Sequence, residues 1–399
     1  MLIGPLGAAC PLEDGRDWAE VEPRTGRGVP PGPSHGLATL VGQTVSAFQR
    51  SHPSPYVQSY SIDFQYQLNS TTMVEVGYSG TQGRKLFYGY NANLNQLDPK
   101  YLSQGSALNQ PVKNPFFGII QNGSISGATV PQYQLLLPYP EFQQVALHGL
   151  TPGASASFNA LMLKLNRRFE NGLMIMASYQ FSKAIDNASE TQSWEISDLQ
   201  RNVYNTSIER SISAHDVPQS LTTSFVYELP VGKGRAHLSQ MNRVANAVLG
   251  GWQVSNIFRI GSGLPLQFTA PNSLGIYGFP VGRPNISSIP DLTGGTQSPD
   301  HWFTTTAVTA AAPFTVGSAP RWVGGLRHGK LEAADVALMK NFQLMEKVRL
   351  QFRAEAFNIS NTPQYGKANT TFGAPTFGVI TGTTYNTPRN LQVSMRLSF

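Results

Sequence analysis

Asn159–Ile185 reads NALMLKLNRRFENGLMIMASYQFSKAI, and its period decides the fold. Leu161, Leu163 and Leu165 recur at every second residue up to Glu170-Asn171-Gly172, and Leu173, Ile175, Ala177, Tyr179 and Phe181 resume the pattern beyond it. A period of two puts these side chains on one face of a strand, and Asn-Gly supplies the positive φ angles of a tight hairpin turn. Both arms reach the roughly nine to eleven residues that a tilted strand needs to cross a bilayer.

The same alternation recurs on either side. Ile62, Phe64, Tyr66 and Leu68 alternate with Asp63, Gln65 and Gln67, and after Asn69-Ser70-Thr71 the pattern returns at Val74, Val76 and Tyr78. Further runs are Leu221, Thr223, Phe225, Tyr227 and Leu229, then Trp252, Val254, Phe258 and Ile260. Val348, Leu350, Phe352, Ala354 and Ala356 oppose Arg349, Gln351, Arg353 and Glu355, so charge keeps to one face. Alternation alone does not separate a soluble sandwich from a barrel. The connections do: roughly a dozen strands are expected, separated in turn by short turns and by long polar loops near 91–130, 186–218, 270–330 and 358–388. Outer-membrane barrels pair short turns at one rim with long loops at the other, whereas compact soluble domains seldom hold structureless loops beyond about 12 to 15 residues. Aromatic pairs near strand ends, Tyr88 with Tyr90 and Tyr179 with Phe181, suit interfacial girdles or a core equally well.

Composition agrees. Charged residues are 13% of the 399, about half the roughly 25% of soluble domains, and the mean hydropathy is only −0.20. No run approaches the roughly 18 to 20 apolar residues of a spanning helix, so a membrane protein here would be a closed barrel. The net charge of +6 comes from scattered Lys and Arg without a basic run, so no nucleic-acid partner is expected. The single cysteine, Cys10, excludes an internal disulfide and a Cys-based zinc site.

Residues 1–50 read as a Pro/Gly-rich linker or disordered segment, with Pro30, Pro31 and Pro33 among Gly28, Gly32 and Gly36. Met1–Cys10 lacks a basic n-region and is broken by Gly4, Pro5 and Gly7, so it makes a poor export signal. The natural beginning of an exported chain is therefore expected upstream. At the other end Leu391, Val393, Met395, Leu397 and Phe399 share one face, opposite Gln392, Ser394, Arg396 and Ser398. A terminal strand closing on Phe is similar to the signal that barrel-assembly machinery reads in outer-membrane proteins.

Several segments together resemble the β-barrel of TonB-dependent transporters, particularly the Oar-like group. They are Phe158-Asn159-Ala160-Leu161 with Leu165–Phe169 (LNRRF), Ser178–Ser189 (SYQFSKAIDNAS), Tyr227–Pro230 (YELP), Gly250–Gln253 (GGWQ) and Arg353–Asn361 (RAEAFNISN). The resemblance implies a plugged barrel of about 22 strands energised from the inner membrane. Residues 51–399 would form its C-terminal part, a partial antiparallel transmembrane β-barrel of the outer membrane. No plug domain, TonB-binding segment or carboxypeptidase-regulatory-like domain is recognisable, so any link to the TonB system would run through a plug missing here.

No catalytic, cofactor or metal site stands out in the sequence. The seven histidines, His35, His52, His148, His215, His237, His301 and His328, show no i, i+4 pair and no carboxylate at ligand spacing. Gly232-Lys233-Gly234 lacks the upstream glycines of a phosphate loop and reads as a turn, and Gly77-Tyr78-Ser79-Gly80 reads as another. Glu209-Arg210 and His215-Asp216 fall in a long loop, where ligand contact or solvation is expected. The expectation is a non-enzymatic outer-membrane receptor or transporter, with lipid and barrel-assembly machinery as partners and an unidentified extracellular ligand. The alternative is a secreted, soluble β-rich binding or adhesion module.

Leu350 and its neighbour discriminate the two. In a Cys10→Ser background a barrel predicts that Leu350→Cys reacts in intact membranes only with a lipid-soluble thiol reagent. If Leu350→Cys resists both reagent types while Gln351→Cys reacts from bulk water, position 350 is packed in a protein core and the barrel assignment fails.

Overall fold

The computed structural model describes residues 40–47, 53–88, 92–147, 151–189, 204, 206–274, 282–294, 297–382 and 386–399. Cys10, His35, His52, Tyr90 and His148 lie outside them, as does the expected linker except for 40–47. Within that remainder Thr44–Ala47 is a short strand, paired in parallel with Gln144–Leu147.

Nine long strands dominate: β1 (Tyr56–Gln67), β2 (Thr72–Tyr88), β3 (Thr151–Glu170), β4 (Leu173–Asp186), β5 (Gln219–Glu228), β6 (Trp252–Gly261), β7 (Leu331–Gln343), β8 (Arg349–Phe357) and β9 (Asn390–Ser398). Each pairs antiparallel with its sequence neighbour, so the sheet is a meander from β1 to β9, with Ser211–Ile212 added beside β4. Among the described residues the expected dozen strands therefore resolve into nine long ones. Other apolar runs are too short to span and form strands of two to five residues inside the connections.

Register explains why the two faces differ. Phe64, Val76, Leu163, Tyr179, Leu221 and Ile260 stand opposite one another across β1 to β6. Leu173, Tyr227, Val254, Leu338, Ala354 and Val393 continue the apolar face across β4 to β9. The opposite face carries the row Gln65, Glu75, Lys164, Ser178, Thr222 and Arg259. There Lys164 Nζ donates to Glu75 Oε1 at 2.7 Å and Gln65 Nε2 to Glu75 Oε2 at 2.9 Å. Such pairs on the wet face of a sheet set register more than stability. The apolar face is uncovered: Phe64 is 67% and Phe181 52% exposed. The three apolar clusters of buried side chains lie instead in the connections.

Those connections obey one asymmetry. Residues 68–71, 171–172, 229–251 and 344–348 join strands at one rim, and 89–150, 187–218, 262–330 and 358–389 at the other. The long connections fall where the sequence placed them, except that the first runs on to residue 150 rather than 130, and their described residues are folded rather than structureless. Among the described residues no helix is long and apolar enough to cross a membrane.

Gly77-Tyr78-Ser79-Gly80, which reads as a turn in the sequence, is instead the middle of β2. A Cβ on Gly77 would come within 2.2 Å of Asp63 Oδ1, and one on Gly80 within 2.3 Å of the Tyr60 ring. Glycine here makes room for side chains of the neighbouring strand, which marks a close approach within a strand as readily as a turn. By contrast Gly232-Lys233-Gly234 is a turn, closed by Arg235 N donating to Gly232 O at 3.0 Å.

At the β3–β4 turn Asn171 and Gly172 adopt φ of 52° and 81°, and Glu228 N donates to Gly172 O at 2.7 Å. A Cβ at Gly172 would meet Glu228 O at 3.1 Å. Gly172→Ala should therefore destabilise the folded protein by about 1–2 kcal/mol. Gly382→Ala, whose Cβ would meet nothing within 4 Å, should change it by less than about 0.5 kcal/mol. Denaturant unfolding in detergent measures both.

Candidate functional site

The long-connection rim holds what the sheet lacks, a buried interior. Leu266, Phe268, Trp302, Phe303, Val323 and Leu326 from connection 262–330 pack with Ala368 and Ile380 from 358–389. Phe268 and Phe303 meet edge to face with centroids 5.2 Å apart, a geometry that adds to simple burial. Leu274 of the same connection joins Leu97, Leu108 and Leu137 of 89–150. Connection 262–330 is thus the hub of a layer built from loops.

The fourth long connection is tied to that hub by charge. Arg321, only 2% exposed, donates through Nε to Glu209 O at 3.0 Å, through Nη1 to Ser189 Oγ at 2.9 Å, and through Nη2 to the Asp186 carboxylate. Arg283 pairs with the Glu209 carboxylate. Arg327 Nη2 donates to Asp216 Oδ2 at 2.6 Å and its Nη1 to Asp216 O at 2.7 Å, while Ala184 N donates to Asp216 Oδ1. Three guanidiniums from one connection thus meet three carboxylates at the end of β4 and in the connection that follows. Glu209 and Asp216 are accordingly neither solvated nor free for a ligand, which corrects the sequence expectation. Only their neighbours Arg210 and His215 face solvent. Partners separated by 74 to 135 residues leave no periodic signal.

Where β5, β6 and β7 enter this layer a cavity of about 320 Å³ opens, bordered by Ser220, Gly261, His328, Lys330, Gln364 and Tyr365. Ser220, Gly261 and Leu331 stand opposite one another in register. That position belongs to the polar face. Burial, assisted by the Lys367 ammonium, holds the His328 imidazole below its usual range, so at neutral pH it is uncharged and can both donate and accept. Lys330 is engaged by Glu332 at 2.8 Å. The cavity offers neutral hydrogen-bonding groups beside an aromatic ring, the mixture small-ligand sites use. Among the described residues no group of three His, Cys, Asp or Glu stands at metal-binding distance.

The terminal-strand residues lie together at the sheet edge. Leu391, Val393, Met395 and Leu397 of β9 oppose Ala356, Ala354, Phe352 and Leu350 of β8, and Phe399, 96% exposed, follows the last paired residue.

Residues 15–392 match the family described as Outer membrane beta barrel domain. No curated protein matches the chain. Among solved structures, the outer membrane transporter YddB from Escherichia coli is similar at 9% identity and a TM-score of 0.43, covering 90% of this chain and 34% of that one. The FrpB iron transporter from Neisseria meningitidis (F3-3 variant) gives 10% identity and a TM-score of 0.37, with 89% and 33% covered. The copper transporter OprC gives 8% identity and 0.35, with 88% and 32% covered. The chain spans about a third of the length of these transporters.

The buried ion cluster generates a test. Arg321→Met leaves Asp186 buried without its guanidinium and should destabilise the loop layer by about 3–5 kcal/mol. Limited proteolysis should then cleave within 206–218 and 297–330 in the variant at protease levels at which these residues resist in the parent, while the long strands stay protected.

Proposed function

Because this chain belongs to the outer membrane beta barrel domain family, we propose that it forms the C-terminal part of the wall of a TonB-dependent, Oar-like receptor or transporter, without a catalytic role. Its location is the outer membrane. The observation that carries the reading is the meander itself, with one apolar and one polar face and every long connection at one rim. A soluble adhesion module would bury the apolar face under a second layer, and the buried clusters sit elsewhere.

The sheet edges support a larger barrel. β1 and β9, the first and last of nine antiparallel strands, run in the same direction, so an antiparallel seam needs an odd number of further strands. In hydrocarbon an open edge would leave its backbone groups unpaired at several kcal/mol each, which favours closure through such strands. The loop layer then faces the exterior, and the cavity beside His328 and Tyr365 is a place for an extracellular ligand to meet the lumen. Coupling to the TonB system would run through a plug domain, which the described residues do not supply. Leu391, Val393, Met395, Leu397 and Phe399 would present the terminal strand to barrel-assembly machinery.

Exported into the periplasm of a Gram-negative host together with the further strands that close its barrel, the chain should sediment with outer membranes, resist high salt and require detergent for extraction. Deleting Phe399 should lower the assembled fraction several-fold. Recovery in the salt-soluble fraction would favour the adhesion module instead.

A further inference from the structure

Connection 229–251 is the exception among the short-rim turns, because it is long and carries a helix, α1 (Arg243–Leu249). The helix starts at Asn242, whose side chain accepts from Ala245 N at 2.8 Å. Seven residues are too few to hold a helix in water on propensity alone, and none of these seven is buried. Its apolar side chains point outward: Val244 is 76%, Val248 61% and Leu249 50% exposed. Leu238, in the same connection, is 59% exposed.

What anchors the helix shows which side of the sheet it occupies. Trp252 and Lys340 are opposite in register and in line with Phe352 and Met395, a row of the apolar face near the short rim. Trp252 Nε1 donates to Val248 O at 2.8 Å. Lys340 Nζ donates to Asn246 O at 3.4 Å and to Gly250 O, and its ammonium lies 5.3 Å from the Trp252 ring and 5.1 Å from that of Phe342. Two side chains of the apolar face therefore bond the C-terminal carbonyls of α1. There the helix dipole favours a cation, and Lys340 is left only 3% exposed. The connection folds back over the outer surface of the sheet and does not hang free below it.

We propose that residues 229–251 form an interfacial foot, with α1 lying in the plane of the leaflet next to the short turns and Val244, Val248 and Leu249 set among its acyl chains. The proposal rests on the reading of β5 to β8 as membrane-spanning, and the foot continues their lipid-facing surface. Charge names the occupant. Residues 229–251 contain Lys233, Arg235 and Arg243 and no Asp or Glu, and of these Arg235 is paired with Glu228 at 2.9 Å. Lys233 and Arg243 are exposed and pair with no carboxylate among the described residues, so an apolar helix face beside these cations fits anionic phospholipid headgroups.

The test uses the full chain in a Cys10→Ser background, in vesicles of equal parts phosphatidylethanolamine and phosphatidylglycerol. An environment-sensitive fluorophore is placed in turn by Val248→Cys, Val244→Cys, Lys233→Cys and Phe258→Cys, the last on the apolar face of β6. The foot predicts that probes at 248 and 244 are quenched by lipid nitroxide near the headgroup more than near the acyl terminus. They should also be shielded from aqueous iodide roughly threefold better than the probe at 233. Water-like emission and full iodide quenching at both 244 and 248, with lipid quenching kept at 258, would overturn the foot and leave the barrel standing. Loss of lipid quenching at 258 would overturn the membrane-spanning reading, and the foot with it. Two helix positions are used so that misfolding of one variant does not decide the result.

Discussion

Hydrocarbon offers backbone N–H and C=O groups no partner, so a chain that crosses it as strands must satisfy them along ladders between neighbours. The rest of this structure follows from that constraint. A ladder-bonded sheet between lipid and an aqueous lumen has two unlike faces, and the sequence must alternate to serve both. The rows from Phe64 to Ile260 and from Leu173 to Val393 serve lipid, and the row Gln65, Glu75, Lys164, Ser178, Thr222 and Arg259 serves water. Neither face is a core. Conventional burial is displaced to the rim, where long connections pack against one another.

In that rim layer, connection 262–330 reaches two others through apolar contact and the fourth through guanidinium–carboxylate pairs. Buried pairs repay little net energy against well-packed apolar residues, but losing one partner is costly. They therefore suit a layer that must hold one arrangement of loops above a lumen more than one that must merely be stable. Arg321 illustrates this, since its three nitrogens reach Glu209, Ser189 and Asp186 at once.

The short rim answers a different demand. Asn171-Gly172 closes β3 to β4 with the least chain that a twisted pair allows. Connection 229–251 instead spends its length on the outer surface, covering a lysine that register places among apolar neighbours. Lys340 would be an anomaly on a lipid-facing strand without the carbonyls of α1 and the rings of Trp252 and Phe342 around it.

The amino-acid sequence by itself determined the two faces of the long strands and the Asn171-Gly172 hairpin, because each is written in neighbours two to four residues apart. Ile62 to Leu68 and Leu161 to Phe181 could be read in this way. It did not determine that Gly77 to Gly80 would stay within a strand, since Asp63 and Tyr60, which need the space, lie on the strand beside them. Nor did it reveal that Glu209 and Asp216 are buried or that His328 and Tyr365 border one cavity. Tertiary structure alone decided these, because side chains far apart along the chain, by 74 to 135 residues in the ion cluster, meet only once strands pair and connections close on one another, and no local period records that closure.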